Sequence, residues 1–180
     1  MAHITTSVEY GIHCLLWLTG AGDRAMSSRD LAELQGISPS FVAKIFPRLE
    51  KAGIVAASEG VRGGYRLARP ADTISFLDIV DAIEGEKPLF DCQEVRERCA
   101  LFPRGAPGWA TDGVCAVHGV MLQAEKAMRN ALAAQSLADV AARFGRKAPD
   151  SFFGDVDAWV GERLIGRTGR GARPQSEPPG

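Results

Sequence analysis

The chain has 180 residues, 46% apolar and 24% charged, with a formal net charge of −1. That composition supports one globular core and excludes collagen-like, low-complexity and strongly charged disordered chains. The apolar runs are far short of the roughly 20 residues of a membrane helix. The opening MAHITTSVEYG lacks the basic region and small-residue cleavage site of a signal peptide, so a cytoplasmic address with no membrane partner is expected.

The charge is unevenly spread. Residues 24–69 carry eight Lys/Arg against four Asp/Glu, a net +4, and residues 71–101 carry three against eight, a net −5. A basic module inside a near-neutral chain is compatible with nucleic-acid contact, although charge alone equally describes a solvated surface.

Residues 5–20 place Val8, Ile12, Leu15 and Leu16 at helical spacing, with Gly20 as the stop. The same segment carries Glu9 and His13 four residues apart, on one helical face. An ion pair, a metal ligand pair and a plain hydrogen bond all suit that spacing. Cys14 points about 100° away and reads as a small buried hydrophobe.

Ser27 with Asp30 predicts a capped helix through Leu34, broken at Gly36. Ser38-Pro39 predicts the next helix, SPSFVAKIFPRLEKAG, ending at Gly53. Pro47 lacks a backbone donor and crowds the Ala43 carbonyl, so a kink or break is expected near Phe46. Two short helices with a tight turn form a helix-turn-helix. Strands at 54–58 and 65–68, joined by EGVRGG, add a glycine-rich hairpin. The expected fold is therefore mainly α, a winged helix-turn-helix with a two-stranded wing.

In such a motif the second helix enters the major groove N-terminal end first. Ser28, Ser38, Ser40, Phe41 and Lys44 are the candidates for base edges and nearby phosphates, and Arg48 and Lys51 for the phosphate backbone. Arg62, flanked by Gly63, is the wing-tip cation suited to a narrow minor groove. Tyr65 is expected to pack at the wing base.

Ser75 with Asp78 predicts a capped helix closed by Gly85. Residues 88–114 show no period, and a stretch that long is often functional. A long helix is expected over about 114–134, a helix capped by Ser136 and Asp139 through Phe144, and a last one over 151–165. Met121 and Met128 read as dimer packing. The segment 167–180 has no apolar anchor and reads as disordered. The resulting division is 1–87 for DNA binding, 88–114 for a cysteine loop, 115–145 for the dimerisation helix and the short helix after it, 146–166 for a helical appendage, and 167–180 for a tail.

Cys92, Cys99, Cys115 and His118 are spaced C-x6-C-x15-C-x2-H. Zinc fingers use tighter pairs, whereas iron–sulfur clusters take mainly thiolates and in some centres histidine. Three cysteines leave a four-ligand site one short. His118 is a candidate fourth ligand or a cap of the long helix, and another chain can also supply one. Trp109 reads as a shield for a cluster or a simple loop anchor. An enzyme using Cys115 and His118 finds no oxyanion or phosphate-loop motif in support.

The stretches VEYGIHCLLWL, SSRDLAELQGISPSFVAKIFPRLEKAGIV, VRGGYRL and ISFLDIVDAIEG, with the cysteine segment, resemble the Rrf-two family of winged-helix transcription regulators over about residues 4–145. The resemblance implies a homodimer joined through the long helix, binding a near-palindromic double-stranded operator. It also implies an iron–sulfur cluster, commonly 2Fe–2S, whose state alters that binding. The commonest family pattern has its cysteines in a tighter row, so not all three here need be ligands. Some members draw a ligand from the first helix of the opposite subunit, where Glu9 and His13 fall. The alternative is a metal-free winged-helix regulator sensing a small molecule or thiol oxidation.

Overall fold

Thr5 opens the first helix: its hydroxyl accepts the Ser7 N–H at 3.2 Å, and α1 runs Thr6–Gly20. The structure is a computed structural model and describes residues 4–58, 60 and 63–169, the side chains of 164–169 excepted. Ser27 accepts the Asp30 N–H at 3.1 Å to start α2 (Ser28–Gln35), which ends on Gly36 in the left-handed region at φ 68°. Ser38 caps α3 (Pro39–Lys51), with Pro39 in the first turn, where its missing N–H costs nothing.

α3 is continuous through Pro47, against the expected break. Ala43 and Pro47 both lie on the exposed face, so the carbonyl that loses its donor faces solvent. Phe46 and Leu49 on the opposite face are fully buried and hold the helix in place.

β1 (Val55–Ser58) and β2 (Gly64–Leu67) form the antiparallel wing, with Val55 opposite Leu67 and Ser58 opposite Gly64. Met26 bridges to Tyr65 through two backbone hydrogen bonds of 2.9 and 2.8 Å. A Cβ at Gly64 would overlap the Met26 carbonyl, so glycine is required for that approach. Tyr65 packs on Phe46 with ring centroids 4.8 Å apart, at the wing base as expected.

α4 (Phe76–Glu84) begins with a reciprocal capping box between Ser75 and Asp78. The segment after it is less irregular than its sequence suggests: a one-turn 3-10 helix covers Val95–Arg98 and α5 covers Gly108–Thr111. The long helix α6 runs Ala116–Ala133 with Cys115 as its N-cap residue. A second capping box, Ser136 with Asp139, opens α7 (Leu137–Gly145). α8 covers Asp150–Gly169, so residues 167–169 of the expected disordered tail are helical, and residues 170–180 lie outside the described residues.

The core joins Leu15 and Leu18 of α1, Leu31 of α2, Phe46 and Leu49 of α3, and Ile79 and Ile83 of α4. Gly11 lets these helices close: a Cβ there would stand 2.5 Å from Ile83 Cδ1. Cys14 is buried, and burial pushes its thiol pKa up to about 12, as befits a packing residue.

α6 has no buried residue. Val117, Val120, Ala124, Ala127 and Ala131 are all exposed and alternate at three- and four-residue spacing, the seam of a helix meant for another helix. Val117 and Val120 are 60% and 63% exposed. Met128, expected in dimer packing, instead lines a crevice against Leu77 and Val80 of its own α4. No helix among the described residues is long and apolar enough to cross a membrane.

Candidate functional site

The reading end of α3 is open to solvent. Ser38, Ser40, Phe41 and Lys44 are exposed, and the Ser38 and Ser40 hydroxyls lie 2.8 Å apart. Phe41 leans edge-on against Tyr10, at 5.3 Å between centroids, which fixes its ring on the protein side. Lys51 is exposed at the helix end, and Ser28 is half-buried in the first turn of α2. Arg48 is differently employed. Its guanidinium donates to the Ile83 carbonyl at 2.5 Å and so ties α3 to the C-terminal end of α4. Gly63 donates to the Gly60 carbonyl at 2.8 Å within the wing turn, and Arg62 lies outside the described residues.

The cysteine loop is organised by one arginine. Arg96 forms a two-point pair with Glu94, including an Nη2–Oε2 contact of 2.9 Å, and donates to the Gly113 carbonyl at 3.1 Å. It therefore fastens the start of the loop to its end, beside both Cys92 and Cys115. The Glu94 hydrogen bond first, and the Cys115 and Cys92 charges after it, raise the Arg96 pKa above its ordinary value. Arg96 in turn holds Glu94 below the usual carboxylate range, with His118 contributing. Glu94 adopts φ 45°, a left-handed conformation that no other described non-glycine residue takes. Such strain in a non-glycine residue persists where surrounding contacts overdetermine it.

His118 faces Phe90, with centroids 6.0 Å apart. The N-cap position of α6 carries no side-chain cap, so the alternative of His118 as a capping group gains no hydrogen bond. Cys99 is exposed, and its carbonyl accepts the Phe102 N–H at 2.9 Å. Trp109 meets Phe102 edge-on at 5.9 Å yet is 78% exposed.

Two further contacts fix this loop to the rest of the chain. Glu125 of α6 accepts the Leu89 N–H at 2.9 Å. Arg129 of α6 grips Asp81 of α4 through two hydrogen bonds of 3.0 and 2.8 Å. Sequence reasoning missed Glu94, Arg96, Glu125 and Arg129, because each acts through a partner distant in sequence or across a strained turn. The one available signal was the charged pair Glu94-x-Arg96 inside the cysteine segment.

Glu9 and His13 form no ion pair with each other and no hydrogen bond among the described residues; both are exposed. They stand on the rim of an open apolar groove of about 840 Å3, floored by Ile12, Leu16, Phe76, Val80, Leu132 and Val140. Two polar side chains without partners beside an uncovered apolar surface mark a place that a second molecule completes.

A cluster needs about four donors. Among the described residues no three His, Cys, Asp or Glu side chains stand together to hold a metal. The donors occur as two separate groups, thiols near Arg96 and an imidazole–carboxylate pair on α1. Their chemistry fits an iron–sulfur cluster only if two chains contribute.

The family described as "Iron-dependent Transcriptional regulator", Rrf2, matches residues 4–143. "Protein rrf2" of Nitratidesulfovibrio vulgaris is 34% identical over 138 residues, covering 76% of this chain and 85% of that one. Among solved structures, CymR, the global cysteine regulator of B. subtilis, aligns with a TM-score of 0.63 at 23% identity, over 79% of this chain and 98% of its own. T. potens IscR aligns at 0.60 and 24%, over 84% and 96%. These two likenesses establish the winged-helix fold. The family match establishes the rest: the chain belongs to the Rrf2 family of DNA-binding transcriptional regulators and is not an enzyme.

Proposed function

We propose that this regulator is a homodimer whose operator binding is switched by an iron–sulfur cluster held across the interface. Cys92 and Cys115 of one subunit and the partner subunit's Glu9 and His13 would be the ligands. The carrying observation is the Arg96 clamp, which gathers Cys92 and Cys115 at one place while Cys99 stays exposed. The unpaired Glu9 and His13 on an uncovered groove supply the complementary half. When bound, a cluster of this kind supplies one-electron redox chemistry.

The chain's own residues turn that state into a DNA signal. Arg96 and Glu94 hold the loop, and Glu125 and Arg129 hold the loop and α6 against α4. Arg48 then links α4 to α3, the reading helix. A change at the cysteine loop therefore has a continuous packed route to the spacing of two recognition helices, which must match half-sites about 34–36 Å apart. Dimerisation through the exposed Val/Ala seam of α6 brings the two routes together. Ser38, Ser40, Phe41 and Lys44 carry base and phosphate contact, with Ser28, Lys51, Arg62 and Gly63 at its edges.

A second reading is a metal-free regulator in which the thiols themselves respond to oxidation. It is favoured by the absence of any three-donor group among the described residues. Anaerobic purification with iron and sulfide assays and an absorption spectrum decides. Visible absorption with stoichiometric iron and sulfide supports the cluster, and a colourless, iron-free operator-binding dimer supports the thiol reading.

A further inference from the structure

α8 lies beyond residues 4–143, so what it builds is particular to this chain. It packs back on the DNA-binding module. Val160 is buried, Asp157 pairs with Arg24, and Arg163 pairs with Glu33 of α2 while stacking 3.6 Å over the Trp159 ring. Between α8, α7 and α1 it leaves a cavity of about 350 Å3. That volume lies in the range of small-molecule sites.

The walls are mostly apolar and partly aromatic: Trp17, Phe144, Phe153, Met26 and Val156. The Trp17 ring is fixed because its Nε1 donates to the Gln35 Oε1 at 2.9 Å. One polar atom breaks the pattern. Arg24 Nε is buried and finds no acceptor among the described residues, although its Nη2 is engaged by Asp157. A buried N–H without an acceptor costs about 1–3 kcal/mol, so this donor is suited to a guest that brings an oxygen.

We propose that this cavity binds a small, flat, electrically neutral aromatic compound bearing a carbonyl-type acceptor. The rings lie against Trp17 and the Phe144–Phe153 pair, and the carbonyl oxygen accepts from Arg24 Nε. Neutrality follows from Asp157, which already balances the guanidinium; a carboxylate guest would sit beside a second carboxylate. His13 lines both this cavity and the neighbouring groove, so occupancy touches the helix that faces the partner subunit. Binding itself does not depend on the cluster reading.

The probe is chromone, a bicyclic aromatic ketone, with naphthalene and 1-naphthoate as comparators lacking the acceptor and the neutrality. Binding to the full-length dimer is followed by ligand-observed saturation-transfer NMR and by Trp fluorescence. Saturable chromone binding with a Kd of about 1 mM or tighter is expected, with both comparators weaker. Ala141→Phe, which fills the space, should weaken it about tenfold or more. Arg24→Lys keeps the charge beside Asp157 but removes Nε, and should weaken it about fivefold with the circular dichroism spectrum unchanged. Absence of saturable chromone binding overturns the proposal. So does chromone binding that survives both substitutions, or 1-naphthoate binding as tightly as chromone.

Discussion

Arg129 and Asp81 face each other in a two-point pair, 3.0 and 2.8 Å, that bolts the long helix α6 to α4. Both side chains are about a quarter to a third exposed, so the pair is screened and its planar geometry matters more than its charge. Arg129→Met should cost about 1 kcal/mol in urea unfolding. It should also loosen the coupling between dimer helix and reading helix, so that operator affinity differs less between oxidised and reduced protein. An unchanged difference would remove this pair from the transmission route.

The Arg96 clamp makes an asymmetric prediction for the cysteines. Cys92→Ser, Cys115→Ser and Arg96→Ala should each lower iron content and visible absorption after anaerobic purification. Cys99→Ser should leave both near wild type. Loss of colour in the Cys99 variant would return that residue to the ligand set.

The α6 seam is exposed in a single chain, and valine at 60% exposure is at odds with a solvated helix face. Val120→Glu places two like charges in the proposed interface. Light scattering should find the monomer mass where wild type gives the dimer, with retained helical content.

Asp139 gives a pH dependence with a definite sign. The Ser136 hydroxyl and the Ser136 N–H, in that order, hold its carboxyl below the ordinary value. A depressed folded-state pKa contributes stability that is present above the unfolded value of about 4 and is lost as pH falls through the folded one. Asp139→Asn should therefore reduce stability at neutral pH and flatten the acid limb of the unfolding profile. A parallel loss at all pH values would show that the carboxylate charge is not what the cap uses.

Much of this architecture was legible because it is local. Ser27, Ser38, Ser75 and Ser136 announce helix starts through hydrogen bonds within three residues, and Gly36 announces a stop through its φ of 68°. Pro47 misled because its cost depends on which face it occupies, and that depends on the core beneath Phe46. The site was half legible. Residue type marked Cys92, Cys115, Glu9 and His13. The Arg96 link from Glu94 to Gly113, the Arg129–Asp81 bolt and the inward turn of Arg48 all span long sequence separations that no periodicity encodes. The groove beside Glu9 exists only once α1, α4, α6 and α7 have come together.

The central claim is that the two halves of the cluster site come from different subunits, and mixing two defective chains tests it most directly. One chain carries Glu9→Ala with His13→Ala, the other Cys92→Ser with Cys115→Ser; each alone should be colourless. Co-expressed and isolated as the mixed dimer, they pair one intact cysteine loop with one intact first helix. The account predicts that iron and visible absorption return to about half the wild-type level per dimer. A mixed dimer as colourless as its parents would contradict it.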